Sequence, residues 1–200
     1  MKKRDLTKQK IGDAAMQCFA KYGIEKTTLD DIAKLIGLNK SSLYYYYKNK
    51  EDIFIEVAIE EGDRYISALQ VDASQKKGVE NQVWYYMLSR FEYYKNILNL
   101  NKVSTETLNK ILPRFFELYD AMMKREKKFL ASLISSACKN GELKKCNASE
   151  VASVLINLSD ALKHSVEQKA IIMRTPAVDY TDSIADMKFL VTHIFKGLKV

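Results

Sequence analysis

Glycine and proline are scarce in this chain, 7 and 2 in 200 residues. A fold of many short strands needs turn residues every few positions, so their scarcity excludes one. With 47% hydrophobic and 28% charged residues, the chain reads as all-α. Cysteine is thin as well. The three, Cys18, Cys138 and Cys146, are odd in number and lack C-x-x-C spacing, which excludes a disulfide scaffold or zinc knuckle and predicts a reducing, cytoplasmic setting. Long apolar runs are missing. The longest stretch without a charge, Phe129 to Cys138, is about half a membrane span, and the basic start from Met1 to Lys10 leads into no signal-peptide core. Neither secretion nor membrane anchoring is expected.

Catalytic signatures are equally absent. His164 and His193 are the only histidines, neither sits in a Glu-x-x-His pair, and no Walker loop, Gly-x-Gly-x-x-Gly or Gly-x-Ser-x-Gly occurs. His164 lies one turn from Asp160, a spacing read as a surface or interface pair. No enzyme, catalytic residue, cofactor or metal is expected.

What is present is an uneven charge. Residues 1–50 carry 11 Lys and Arg against 5 Asp and Glu, a balance of +6, while residues 51–200 carry 21 against 20. A basic head on a neutral body points to an anionic partner. In that head, Ile11, Ala15, Cys18, Phe19 and Tyr22 share one face of a first helix, Leu6 to Tyr22, with Gly23 as its C-cap. Thr28 is placed to cap Asp31 and open a second helix of about two turns, ending at Gly37. Asn39 caps a third, Lys40 to about Tyr47, and Asn49 a fourth, to about Leu69.

Short helices joined by a glycine-bearing turn are the sequence form of a helix-turn-helix. On the third helix, Leu43, Tyr46 and Tyr47 share the side that must pack, while Lys40, Ser41, Tyr44 and Tyr45 share the other. A stacking platform for single strands needs its rings on one open face; the helix splits Tyr44 to Tyr47 between two, which favours insertion into a duplex.

The run from Gly23 to Glu51, with Thr27-Thr28, Ile32-Ala33, Gly37, Leu43-Tyr44 and Lys50-Glu51 in register, resembles the DNA-binding domain of TetR-type transcriptional repressors. It departs at Ser41, where glycine is frequent, and at Tyr47, where phenylalanine is usual, so Tyr47 adds a hydroxyl that must find solvent or a partner. The resemblance implies a helix-turn-helix domain over 5–65 and a larger helical ligand-binding and dimerisation domain over 66–200. It implies Lys40, Ser41, Ser42 and Tyr45 at bases or adjoining backbone, with Thr28, Tyr44 and Lys50 at phosphates. It also implies a homodimer on a palindromic double-stranded operator, released by an unidentified small-molecule effector.

Beyond residue 65 the chain is read physically. Glu80 to Leu98 is expected as a helix with Trp84, Met87, Leu88, Phe91 and Tyr94 on its apolar face. A short helix is expected near Thr105 to Ile111, then one opened by Pro113 and running to Asn140, with Phe115, Tyr119, Met122, Phe129 and Leu133 at helical spacing. Trp84, Phe91, Tyr94, Tyr119 and Met122 are the candidates to line an effector cavity for an apolar or amphipathic molecule. Two last helices, about Ser149 to Lys169 and Asp182 to Lys199, carry stripes (Val151, Leu155, Leu158, Leu162; Ile184, Met187, Val191, Ile194, Leu198) expected to pair across a two-fold axis. Taken with these features, the resemblance implies a ligand-responsive regulator, more a repressor than an activator. The rival is a helical small-molecule binder or cryptic enzyme that has kept a helix-turn-helix.

Overall fold

The computed structural model describes residues 3–97, 105–175 and 178–200. Among them are eight helices: α1 Lys3–Lys26, α2 Leu29–Leu35, α3 Lys40–Tyr44, α4 Lys50–Ser74, α5 Val79–Ile97, α6 Thr105–Lys139, α7 Ala148–Met173 and α8 Thr181–Leu198. The described residues form no strand, only an isolated bridge between Leu143 and Lys199. None of the helices is long and apolar enough to cross a membrane. The chain divides into two compact units, residues 1–64 with 99–120 and residues 65–98 with 121–200.

The first unit is built on the expected face of α1. Ile11, Ala15, Cys18 and Phe19 are buried together with Ile32 and Ala33 of α2, Leu43 and Tyr47, and Ile53 and Val57 of α4. Gly12 lets α1 and α4 approach: a Cβ there would meet Val57 Cγ2 at 2.8 Å. At Gly23 the helix breaks, with φ 78 and ψ 158, then adds one more turn to Lys26 beyond the expected end. Gly37, at φ 67, closes α2 in a Schellman motif. Its amide donates to the Lys34 carbonyl at 3.2 Å and that of Leu38 to the Ala33 carbonyl at 2.9 Å.

In the second unit α5 packs on α8 and α7 on α8. Val83, Met87 and Phe91 of α5 are buried, as are Leu130, Ile134, Leu155, Ile156, Met187, Val191 and Phe195 on α6, α7 and α8. The short helix expected near Thr105 to Ile111 and the one expected to open at Pro113 are a single helix. There is no separate connecting helix opened anew by Pro113, because α6 runs unbroken through that proline for 35 residues. A proline inside a helix costs about 3 kcal/mol, and the long runs of good helix formers on both sides outweigh it.

The stripes of α7 and α8 also serve differently from the expected seam. Leu155, Met187 and Val191 are fully buried inside their own subunit, whereas Val154 and Leu158 are 43% and 38% exposed and Phe189 is 61% exposed. On α8 the inward positions Ser183, Met187, Val191 and Phe195 step by four, so the 3, 4 seam is split.

Candidate nucleic-acid interface

Each short helix of the first unit is fixed at its start by a side chain. The Thr28 hydroxyl accepts from the Asp31 amide at 3.2 Å, and the Thr28 amide donates back to Asp31 Oδ2 at 2.9 Å, a complete capping box. Asn39 Oδ1 accepts from the Ser42 amide at 2.8 Å and Asn49 Oδ1 from the Asp52 amide at 2.7 Å. All three caps stand where the sequence places them.

Between these caps α3, which ends at Tyr44 short of the expected Tyr47, and the turn after it sort their side chains by radius. Leu43 is fully buried and Tyr47 is 5% exposed; Tyr44 and Tyr45, by contrast, are 52% and 71% exposed. Lys40 and Ser41 are exposed with them, so the two phenols, a cation and a hydroxyl lie together outside the core. The Lys40 ammonium lies 5.9 Å from the Tyr44 ring centroid, and the Tyr45 ring meets that of Tyr46 edge-on at 5.1 Å. A cation and hydroxyl donors on an unburied helix face are the groups that phosphates and base edges accept from.

Other expected contacts are already engaged within the fold. Ser42 is half-buried, and its hydroxyl donates to Asn39 Oδ1 at 2.9 Å. The Thr28 hydroxyl donates to Asp31 Oδ2 at 2.6 Å, and these bonds hold the Asp31 carboxyl below its ordinary value. Lys50 Nζ donates to the carbonyls of Glu25 and Thr27 at 2.8 and 2.9 Å, joining α4 to the end of α1. One of its three donors is then left for a phosphate. The extra hydroxyl of Tyr47 finds Glu56 Oε1 at 2.9 Å, beside Lys8 Nζ at 2.7 Å from the same oxygen. Burial, then Glu56, pushes the Tyr47 phenol well up, so it is the proton donor of that pair.

Of the five candidate effector residues, Trp84, Phe91 and Met122 have described side chains in the second unit. In the second unit Phe91 is buried against the Tyr180 ring at 6.0 Å, and Trp84 is half-buried under Lys188 Nζ at 4.4 Å. Met122 is half-buried; its neighbour Met123 is the one turned inward. The side chain of Tyr94 lies outside the described residues, and Tyr119 is grouped with the first unit.

The second unit instead holds a buried charge cluster that sequence reasoning missed. Arg90 forks onto Glu126 with Nε to Oε1 and Nη2 to Oε2, both at 2.9 Å, and both side chains are fully buried. Tyr86 donates to Glu126 Oε1 at 2.9 Å, and Arg90 Nη1 donates to Ser159 Oγ at 2.9 Å. Close by, Lys163 is 6% exposed beside Asp160 at 3.7 Å, and burial depresses its pKa. The signal was there: Arg90 and Glu126 each stand three or four residues from apolar neighbours on the inward stripe. His164 behaves as a surface residue, 3.4 Å from both Asp160 and Glu167.

Residues 11–57 match the family described as bacterial regulatory proteins, tetR family. The HTH-type negative transcriptional regulator of the biofilm operon in Staphylococcus epidermidis is 51% identical over 47 residues, 24% of this chain and 25% of that protein. This chain thus spans about a quarter of that relative. The fatty acid metabolism regulator protein of Bacillus subtilis is 24% identical over 144 residues, 72% of this chain and 74% of that one. A crystal structure of a transcriptional regulator from Cytophaga hutchinsonii shares the fold with a TM-score of 0.74, at 24% identity over 95% of this chain and 97% of that one. Residues 11–57 thus carry an N-terminal helix-turn-helix domain of the tetR family of bacterial regulatory proteins.

Proposed function

We propose that this protein is a cytoplasmic, homodimeric transcriptional repressor that leaves a palindromic operator when a small apolar or amphipathic effector binds its C-terminal part. The observation that carries the reading is the exposed face of α3, Lys40, Ser41, Tyr44 and Tyr45, in a domain of the tetR type. In this reading Lys40, Ser41 and Tyr45 enter the major groove, with Ser42 at the adjoining backbone, and Tyr44, Thr28 and the free donor of Lys50 steady phosphates. Repression is supported by the negative regulator among the relatives, and an amphipathic effector by the relative named for fatty acid metabolism.

The effector is proposed to bind among α5, α6 and α7 near Trp84, Phe91 and Met122. Because α4 and α6 each contribute residues to both units, they are covalent routes by which a shift of population in one reaches the other. Trp84 is the only tryptophan and reports occupancy directly. Titrating long-chain acyl compounds while following Trp84, with and without operator, tests the coupling. A ligand that lowers operator affinity must bind more weakly on DNA by the same factor, ordinarily equivalent to about 1–3 kcal/mol. Equal ligand affinity on and off DNA would leave a DNA-binding protein that its ligand does not regulate.

A further inference from the structure

Two sulfur atoms meet at the turn between α6 and α7. Cys138, in the last turn of α6, and Cys146, just before α7, place their Sγ atoms 3.6 Å apart. Both are free thiols and partly exposed. The turn that carries them is held at several points. The amides of Glu142 and Leu143 donate to the Ala137 carbonyl at 3.0 and 3.2 Å, and that of Lys144 donates to the Leu198 carbonyl at 2.8 Å. Glu142 accepts from the Val79 amide at 2.8 Å, and Cys138 Sγ donates to the Lys144 carbonyl at 3.3 Å. Leu143, at the centre, is buried and bridges to Lys199. A segment pinned this way keeps the sulfurs at high effective concentration. The third thiol, Cys18, is buried in the core of the first unit.

We propose that Cys138 and Cys146 form a reversible oxidation site, closing to an intramolecular disulfide by exchange with a low-molecular-weight disulfide that carries carboxylates. One cysteine, having given up its proton, attacks a sulfur of the reagent; a mixed disulfide forms and a small thiolate leaves and is protonated. The second cysteine, deprotonated in turn, attacks the protein-bound sulfur, makes the Cys138–Cys146 bond and expels the other small thiolate. The two protein thiols lose two electrons and two protons, and the reagent's disulfide is reduced to two thiols. Charge selects the reagent. Lys139, Lys144 and Lys145 are exposed around the pair, and Glu142, the one acid between the cysteines, is bonded to Val79. Burial, then the neighbouring sulfur, pushes the Cys146 thiol up. Attack by Cys146 is therefore faster in alkali than at neutral pH.

The full chain with Cys18→Ser, equilibrated with oxidised and reduced glutathione and read by intact mass and a non-reducing tryptic map, tests this. Trypsin cuts at Lys139, Lys144 and Lys145, so an intramolecular bond appears as one joined pair of peptides. The expected product has lost two hydrogens, keeps no glutathione and joins Cys138 to Cys146. Its oxidation constant should be at least about tenfold above that of the urea-unfolded chain. Adding Cys146→Ser should strand one glutathione on Cys138. Glutathione left on both cysteines, a bond between two chains, or thiols that oxidise no more readily folded than unfolded would overturn the proposal.

Discussion

Lys40 and Lys50 carry the same charge in different surroundings. Lys40 is exposed on α3 beside Tyr44, while Lys50 already donates to two carbonyls at the end of α1. Lys40→Ala is predicted to cost about 1–3 kcal/mol on the operator and much less on a scrambled duplex. Lys50→Ala should weaken both duplexes alike, flatten the salt slope by about one unit and also lower the melting temperature, since those carbonyls lose a charged donor. Anisotropy titrations at several salt concentrations, with thermal melts, separate the two; equal losses on both duplexes for Lys40→Ala would remove it from base reading.

Lys163 makes a different prediction. Its pKa is depressed by burial despite Glu167 and Asp160 nearby, so between its folded and unfolded pKa values the unfolded chain binds more protons. Stability from this residue then rises with pH up to the unfolded value, about 10.4. Any stability advantage of Lys163→Met over wild type should shrink as pH rises toward that value, read by urea melts at successive pH; an advantage independent of pH would contradict the burial argument.

At the scale of elements, what was legible was whatever a local signal determines. Thr28, Asn39 and Asn49 each cap a helix through an amide three residues on, and Gly37 takes the positive φ that a Cβ resists. The burial of Leu43 against the exposure of Lys40, Ser41 and Tyr44 follows from helical spacing, while Tyr47 is buried from the turn that closes α3, where its amide donates to the Leu43 carbonyl at 2.9 Å. What was not legible depends on partners distant in sequence. Pro113 signals a helix start, yet α6 continues through it, and although helical spacing puts Arg90 on the inward stripe, its mate Glu126 lies 36 positions away. For the same reason spacing could not show that Met187 and Val191 belong to the subunit's own core. Gly12 is another such pairing. Gly12→Ala is predicted to destabilise the first unit because its Cβ would crowd Val57, against the about 1 kcal/mol that alanine gains in helix propensity. Adding Val57→Ala should recover part of the crowding loss; a double-mutant cycle by urea denaturation with zero coupling would show that the α1–α4 approach is not tight.

At the scale of the whole molecule, the proposed dimer rests on what α7 and α8 leave uncovered. Val154, Leu158 and Phe189 are large apolar side chains 43%, 38% and 61% exposed. Leu158→Glu is predicted to give a folded monomer by light scattering and circular dichroism, whereas Val191→Glu should unfold the second unit, because Val191 is fully buried within one chain. A Leu158→Glu protein that stays dimeric would move the interface elsewhere.

In the proposed function, a symmetric pair of α3 helices reads duplex sequence. Its most direct test is selection by the full-length protein from a library of random duplexes at near-physiological salt, followed by sequencing. The expected result is an enriched inverted repeat whose half-sites lie about 34–36 Å apart, or a multiple of one helical turn, and its loss when Lys40 and Tyr45 are both changed to Ala. Enrichment of no sequence, or enrichment that survives those two changes, would contradict it.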